Sequence, residues 1–245
     1  MAQLFHPEEY YRDPDFLESL EGRTLRILSE YLGPMTTLDK GKINSTILFL
    51  GSAKADPAKP DTPLYRYYWE VEELAYLLTR WAGSLKNPKG KDFVVCTGAG
   101  PGVMEAANRG AGRAGGKSIG MNIALPQPQQ PNPYVTPEYL FTFHYFFMRK
   151  FWLVYKARAV VICPGGYGTL DEFFEIITLL QTSKISKKEM TVVLYGEEYW
   201  RKVLKFENLV KVKAICAEDL ELFKFCSSPG EAFQYLKKRF SHFLK

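Results

Sequence analysis

Residues 159–172 read AVVICPGGYGTLDE, an apolar run that enters a turn with three glycines and then a Thr-x-x-Glu pair. Such an apolar run is typical of a buried strand, and the glycines let backbone N–H groups approach an anion closely. Thr169 and Glu172 have two interpretations: a helix capping box, or the floor of a phosphate site with an acid placed for catalysis. Under both, the stretch predicts a strand, a turn and a helix.

The same pattern of an apolar run followed by a helical segment extends through most of the chain. Short apolar runs that do not alternate with polar residues are separated by helical patterns, which indicates a parallel sheet covered on both faces. The predicted fold class is therefore α/β, a Rossmann-like doubly wound parallel sheet whose ligands bind at the carboxyl ends of the strands. The predicted strands are 46–50, 93–96, 118–123, 160–163 and 192–195, with an aromatic run at 139–147 passing from strand into helix, and only amphipathic helices after residue 195.

The predicted domain organisation is simple. Residues 1–45 are expected to form an N-terminal helical extension with an interruption near Gly22, and residues 46–245 a single Rossmann-like nucleotide-binding domain. No internal repeat or linker divides the second part. The helix after the glycine turn of residues 163–169 is predicted to run from Leu170 to about Thr182.

Composition narrows the classes of partner. The chain has 245 residues, 46% hydrophobic and 24% charged, which suits one globular domain with an ample core. The net charge of +5 lies in short basic runs typical of solvated helix faces, so we expect no nucleic-acid partner. Four cysteines without CxxC spacing, and no apolar window of about 18 residues, predict a cytoplasmic protein with no membrane partner. Three histidines and no clustered acids or thiols predict neither a metal nor a cofactor.

Three predicted strands end in small residues, and in a doubly wound sheet these turns lie along one rim. Glycines at such turns, each followed by the positive end of a helix, favour a phosphate as the ligand. The turns do not match the full dinucleotide fingerprint or a P-loop, which argues against hydride transfer and nucleoside triphosphate hydrolysis. The candidate binding residues are Gly51, Ser52, Gly98, Gly100, Gly102, Gly166, Tyr167, Gly168 and Thr169.

Three motifs together resemble a known family. Residues 164–172 carry PGGxGTxxE, Arg149-Lys150 stands fifteen residues before the proline of that motif, and TGAGPGVMEAAN lies upstream at 97–108. With this spacing, the chain from about residue 46 to 195 resembles the "lonely guy" (LOG) family of phosphoribohydrolases, often mislabelled lysine decarboxylases. The resemblance is to the longer bacterial branch of that family.

The resemblance implies a nucleoside 5′-monophosphate substrate, cleaved at its N-glycosidic bond into free base and ribose 5-phosphate. It implies Arg149 and Glu172 as the catalytic pair, and Lys150, the turn at 166–172 and Thr178 as substrate contacts. It also implies a homodimer or a larger homo-oligomer. The chain departs from the family pattern at Ala99, which replaces a glycine, and at Pro128-Gln129, where many relatives have a glutamate.

The residues themselves suggest roles for these groups. Glu172 is predicted in the first turn of its helix, where the dipole favours the ionised form, so it is expected to act as a base and stabilise positive charge on the sugar. Arg149 is able to hold Glu172, the phosphate or a ribose hydroxyl. Glu105 and Asn108 are able to reach a ligand, although polar residues there are common in helices. His144 is expected to be a core histidine, and the acid that protonates the leaving base is not identified.

The main alternative is a protein of another class, a non-catalytic binder of a nucleotide or a molybdenum-cofactor-type phosphate ligand. Such a binder needs the glycine turns but not the pair formed by Arg149 and Glu172, so the presence of both favours the enzyme. Amino-acid decarboxylation is the weakest option, because no lysine stands in a recognisable pyridoxal-phosphate context.

Overall fold

The computed structural model describes residues 9–85, 90, 93–127 and 129–240. The strands in these ranges are β1 (Thr46–Leu50), β2 (Val94–Thr97), β3 (Ser118–Ile123), β4 (Leu140–Phe143), β5 (Ala157–Ile162), β6 (Thr191–Tyr195) and β7 (Lys224–Cys226). The helices there are α1 (Pro14–Glu18), α2 (Arg23–Lys40), α3 (Tyr65–Ser84), α4 (Val103–Arg113), α5 (Phe146–Tyr155), α6 (Tyr167–Gln181), α7 (Glu197–Val203), α8 (Phe206–Lys211) and α9 (Pro229–Phe240).

All seven strands form one parallel sheet in the order β4-β3-β2-β1-β5-β6-β7. The chain moves outward from β1 to β4 and then returns to place β5 on the other side of β1. Leu50 pairs with Ile162, so β1 and β5 end level with each other. The strand order reverses between these two strands, and that point is where doubly wound sheets bind ligands. The predicted fold class is confirmed.

The strands are apolar without alternation because both faces of the sheet are covered. Every residue of β1 is buried, with Ile47 and Phe49 in one cluster of core residues and Leu48 and Leu50 in the other. The first cluster includes side chains of α3, α4 and α9, and the second includes side chains of α2, α5, α6 and α7. Successive residues of a strand point to opposite faces, so each face receives half of the apolar side chains.

Two local differences from the sequence-based prediction stand out. β7 lies within the region predicted to be entirely helical; it has three residues and begins at the exposed Lys224, which is too short and too polar a signal for periodicity to detect. Helix α6 begins at Tyr167, three residues before its predicted start at Leu170. The predicted turn was therefore too long. Each residue of α6 lies three positions further from the start of the helix than predicted.

The helices before β1 pack on the rest of the chain. The Trp152 indole N–H donates to the backbone oxygen of Glu30 (2.9 Å), and the Glu30 carboxylate accepts hydrogen bonds from the backbone N–H groups of His144 (2.7 Å) and Tyr145 (3.3 Å). Helix α2 is thereby attached to α5. The division of the chain at residue 45 stays a prediction, and residues 1–8 and 241–245 lie outside the described residues.

None of the helices in the described part of the chain combines the length and the apolar character that a membrane crossing requires.

Candidate active site

A cleft of about 370 Å³ lies at the carboxyl ends of the central strands, where the strand order reverses. It brings together eight of the predicted site residues: Gly51, Ser52, Gly98, Arg149, Gly166, Gly168, Thr169 and Glu172. The remaining lining comes from Leu50, Ala53, Lys54, Met104, Phe146, Leu153 and Asp171. The glycine turns after β1, β2 and β5 thus share one cleft, as the rim argument predicts.

The turn after β5 is held from three directions. The backbone N–H of Cys163 donates to Leu50 O (2.8 Å), and that of Ser52 donates to Pro164 O (2.9 Å). From the opposite side, the Tyr199 hydroxyl donates to Gly165 O (2.7 Å). A side chain at Gly165 would overlap that of Thr169, so this position requires glycine. The turn is therefore a fixed part of the cleft.

Helix α6 starts at this turn without a side-chain cap. Gly166 is its N-cap residue, no side chain accepts from the first backbone N–H groups, and its first turn has no acid. Thr169 is the third residue of the helix and Glu172 the sixth, in the second turn. The capping-box interpretation is wrong, and so is the placement of Glu172 in the first turn. The uncapped N–H groups and the partial positive charge of the helix both face the cleft.

Glu172 is a buried acid with an unpartnered oxygen. Its side chain is 7% exposed, and Oε2 has no hydrogen-bond partner among the described residues. Burial raises the pKa of Glu172 to about 7, against the charges of Lys150 and Arg149, which lower it. The expectation that the helix dipole keeps this group ionised omitted burial, the larger effect. Near neutral pH both the protonated and the ionised form of the carboxyl are therefore populated.

Arg149 is positioned by the backbone of β3. Its Nε–H donates to Met121 O (2.8 Å), and burial lowers the pKa of its guanidinium, which nonetheless stays charged at any ordinary pH. Gly98 leaves room for it, because a side chain there would overlap the guanidinium. Among the described residues, no ion pair within 4 Å joins Arg149 to Glu172, so their charges interact without a direct contact.

Lys150 lies outside the lining of the cleft. Its ammonium lies 2.6 Å from a carboxylate oxygen of Glu175 and donates to Asp171 (3.0 Å), so it binds α6 along its outer side. Burial lowers the pKa of Lys150, but the hydrogen bonds to Glu175 and Asp171 outweigh this and raise it above its ordinary value. The structure thus gives Lys150 two carboxylate partners and no place among the lining residues.

Four other predicted residues do not line the cleft. Gly102 precedes α4 at φ +69°, where a side chain would overlap the backbone of Ser52, so its role is structural. Gly100 faces the side chains of Met104 and Gln129 instead. Tyr167 is 93% exposed at the start of α6. Thr178 is exposed, and its hydroxyl donates to Phe174 O within the same helix (2.7 Å).

The polar residues around the second glycine turn hold the backbone. The Asn132 side-chain amide donates to Ala99 O, Gly100 O and Asn108 Oδ1, each at 3.0 Å. This arrangement fixes Ala99 at φ +62°, a left-handed conformation that the family's usual glycine adopts without strain. Gln129, at the other departure from the family pattern, donates to Asn122 Oδ1 (3.3 Å).

The secondary candidates have structural partners. Glu105 accepts a hydrogen bond from the Tyr68 hydroxyl (2.7 Å), and the buried Asn108 accepts one from Thr97 (2.8 Å). His144 is exposed, so the expectation of a core histidine is wrong; the alternation of buried and exposed residues at the end of β4 places it on the solvent side. Within the described ranges, no group of three or more His, Cys, Asp or Glu side chains could hold a metal ion.

Two lining residues were missed from the sequence although a signal was present. Lys54 directly follows the predicted turn Gly51-Ser52-Ala53, so extending that turn by one residue would have included it. Phe146 lies three residues before Arg149, which places both on neighbouring turns of α5. Phe146 is 54% exposed.

The α/β sheet, the glycine-lined cleft and the acid within it define a ligand-binding protein of the Rossmann-like class. A family model described as "possible lysine decarboxylase" matches residues 104–236, more than half of the chain. The chain belongs to this family, the LOG family, and the resemblance seen in its motifs is confirmed.

Curated relatives include the pyrimidine/purine nucleotide 5′-monophosphate nucleosidase of Escherichia coli (strain K12). It is 27% identical over 217 residues, an alignment covering 78% of this chain and 46% of the relative. The same protein from Escherichia coli O157:H7 matches equally well. The chain thus spans about half the length of the curated relatives that it matches.

Solved structures with the same fold include molybdenum-cofactor proteins. The Moco carrier protein from Chlamydomonas reinhardtii has a TM-score of 0.53 at 20% identity, covering 81% of this chain and 98% of that one. The molybdenum cofactor binding protein from Rippkaea orientalis has a TM-score of 0.51 at 21% identity, covering 80% and 95%. At these identities the similarity shows the fold alone.

Proposed function

We propose that this protein hydrolyses the N-glycosidic bond of a nucleoside 5′-monophosphate, releasing the free base and ribose 5-phosphate. The observation that carries the proposal is Glu172, a buried carboxyl with an unpartnered oxygen and a pKa raised to about 7, in a cleft lined by glycine turns and an arginine. A carboxyl kept near its titration point inside a cleft is suited to proton transfer.

The phosphate would bind at the start of α6. The first backbone N–H groups of this helix have no side-chain cap, and the first turn has no acid to repel an anion. Gly98 lies across the same cleft and lets its own backbone approach closely. A phosphate dianion at this position would accept hydrogen bonds from the first backbone N–H groups of α6, as a capping side chain would.

The chemistry at the sugar then falls to Glu172. As the C–N bond breaks, its electron pair leaves with the base, and positive charge develops on the ribose carbon and ring oxygen. The ionised carboxylate stabilises that charge and takes a proton from the attacking water, whose oxygen bonds to the carbon. Arg149, fixed by Met121 O, is placed to orient the phosphate or a ribose hydroxyl. The departing base takes up a proton from a source still to be identified.

The comparisons favour this reaction over simple binding. The curated relatives are named nucleotide 5′-monophosphate nucleosidases, whereas the molybdenum-cofactor carriers share only the fold at about one fifth identity. A binder needs the glycine turns, but it gains nothing from a carboxyl whose burial is unfavourable when ionised.

We also propose that a second copy of the chain covers one face of α5, as the family resemblance implies. Phe147, Phe151 and Tyr155, termed the α5 face, are each more than one third exposed. With Lys150 and Glu175 they line a second pocket, whereas Phe146, Arg149 and Leu153 line the cleft from another side of the same helix. Exposed aromatic residues grouped on one helix are characteristic of subunit interfaces.

The test is a panel of purine and pyrimidine nucleoside monophosphates, with free base followed by chromatography. The wild type should release base from at least one of them, and Glu172→Gln should lower kcat by about a hundredfold or more, as expected for loss of a general base. Glu207→Gln is the matched control, because Glu207 is an exposed glutamate of α8 paired with Arg201, and it should stay within about twofold.

Two results would contradict the proposal. If the wild type binds nucleotides but releases no base from any of them, the protein is a binder. If Glu172→Gln releases base as fast as the wild type, the reaction does not use this carboxyl.

A further inference from the structure

Lys54 is a cation in the wall of the cleft that no sequence motif predicts. It follows the turn after β1, and its backbone N–H donates to the Ser52 hydroxyl (3.0 Å). Ser52 in turn donates its own N–H to Pro164 O (2.9 Å), which ties this turn to the one that starts α6. The loop carrying Lys54 is therefore anchored to the helix start where a phosphate is proposed to bind.

Among the described residues, the charge of Lys54 forms no ion pair within 4 Å. Lys59, five residues along the same loop, pairs with Asp56 at 3.1 Å. The acids of the cleft do not compensate for it. Asp171 is bonded to Lys150, and Glu172 has a pKa of about 7 and is partly neutral at neutral pH.

The cleft therefore combines an unpaired ammonium with an uncapped helix start and a buried carboxyl oxygen that also lacks a partner. Backbone N–H groups offer directed hydrogen bonds to an anion, and a lysine adds a full charge on a long, adaptable side chain. Among the described residues, no side chain caps the start of α6 and no carboxylate pairs with Lys54. An anion that reaches both would give each of them a partner.

We propose that Lys54 binds the 5′-phosphate of the substrate and makes the site selective for phosphorylated ligands over the corresponding nucleosides. The inference rests on the proposed function for the identity of the substrate, but it concerns binding, so it can be tested without turnover. Lys54 acts on the phosphate only. Its removal should weaken ligands that carry a phosphate and leave those without one unchanged.

The experiment measures the Kd of ribose 5-phosphate, AMP and adenosine by calorimetry for the wild type, Lys54→Gln and the matched control Lys59→Gln, and for AMP all three proteins also carry Glu172→Gln, which slows hydrolysis. Lys54→Gln should weaken ribose 5-phosphate and AMP by about tenfold, as expected for loss of one charge-assisted hydrogen bond. Lys59→Gln should change neither by more than about twofold, because its partner is Asp56. Lys54→Arg should retain most of the affinity, and raising the salt concentration should weaken the wild type more than Lys54→Gln.

The outcomes separate this inference from the proposed function. Equal affinity of wild type and Lys54→Gln for ribose 5-phosphate, an equal loss in Lys59→Gln, or a matching loss for adenosine would each overturn the role of Lys54. So would a wild type that binds neither ribose 5-phosphate nor AMP. A protein that shows the expected affinities but releases no base keeps Lys54 as a phosphate ligand and loses the hydrolase function.

Discussion

The fold buries the Glu172 carboxyl, which makes its ionised form unfavourable. Its side chain is 7% exposed, and one carboxyl oxygen lacks a hydrogen-bond partner among the described residues. An ionised carboxylate at such a position is destabilising, and the raised pKa expresses this cost. Groups that reduce stability in this way are common at active sites, where the bound ligand or the reaction supplies the missing partner.

Replacing Glu172 should therefore stabilise the protein at alkaline pH. The folded-state pKa of about 7 lies above the ordinary 4.5, so below about pH 4.5 the group is neutral in both states and Glu172→Gln should have little effect. As the pH rises through 7, the wild type must ionise a buried group and loses stability relative to the variant. From the difference between 4.5 and 7, Glu172→Gln should be more stable at pH 8.5 by about 3 kcal/mol.

Urea unfolding of both proteins at pH 4.5 and pH 8.5 checks this pH dependence. A gain of the same size at both pH values would mean that the amide packs better and that titration plays no part. A loss of stability at pH 8.5 would mean that the carboxylate is well solvated and that its pKa is not raised.

The sequence located Glu172 but not its charge state. The motif PGGxGTxxE identifies the residue, and local reasoning about the helix start predicted an ionised group. Burial depends on how α5 and the strands pack around the side chain, which no window of sequence contains. The same limit applies to Lys150, whose neighbour Arg149 lines the cleft while its own ammonium lies against Asp171 and Glu175.

At the scale of elements, the turn between β5 and α6 depends on a helix far along the chain. The Tyr199 hydroxyl on α7 donates to Gly165 O (2.7 Å). Because the turn supplies the N–H groups at the start of α6, its position sets where a phosphate can bind. Tyr199 is thus a positioning residue for the candidate site.

Tyr199→Phe should lower stability by about 1 kcal/mol, since it removes one hydrogen bond and leaves the Gly165 oxygen without that donor. It should also raise KM for the nucleotide several-fold more than it lowers kcat, because the substituted residue touches the phosphate turn and not the sugar. Steady-state kinetics with the nucleotide panel measure this split. Tyr65→Phe is the control, since no hydroxyl bond is found for Tyr65 among the described residues; equal effects of both variants would contradict the positioning role.

Most element positions followed from the sequence, and the exceptions have physical causes. Strands β1 and β3 were predicted to the residue, and every residue of both is buried. The start of α6 was misplaced because Gly168, a poor helix former, lies within the first turn of the helix. β7 is an edge strand stabilised by pairing with β6, and that pairing leaves no periodic trace in three residues.

At the scale of the whole molecule, the α5 face departs from an ordinary protein surface. Phe147 is 51% exposed and Tyr155 53%, on the same helix as Arg149. Within one chain these rings remain in contact with water, which is unfavourable for grouped aromatic side chains. Association through this face would remove them from water.

Phe147→Glu should convert an oligomer into a monomer, because it introduces a charge into an apolar contact. Size-exclusion chromatography with light scattering gives the mass directly. Val212→Glu serves as control, since Val212 is 72% exposed outside the α5 face and should leave the mass unchanged. A monomeric wild type, or an unchanged mass for Phe147→Glu, would contradict association through this face.

The order of strands in the sheet also bears on how the chain folds. β1 is the central strand, and its second neighbour, β5, joins it only after the chain has formed β2, β3 and β4. During synthesis, one edge of β1 therefore waits with open backbone groups until residues 157–162 emerge, and such long-range parallel pairing forms slowly. The cleft is made at that same pairing, so we expect that the protein cannot acquire its ligand site before residues 157–162 have joined β1.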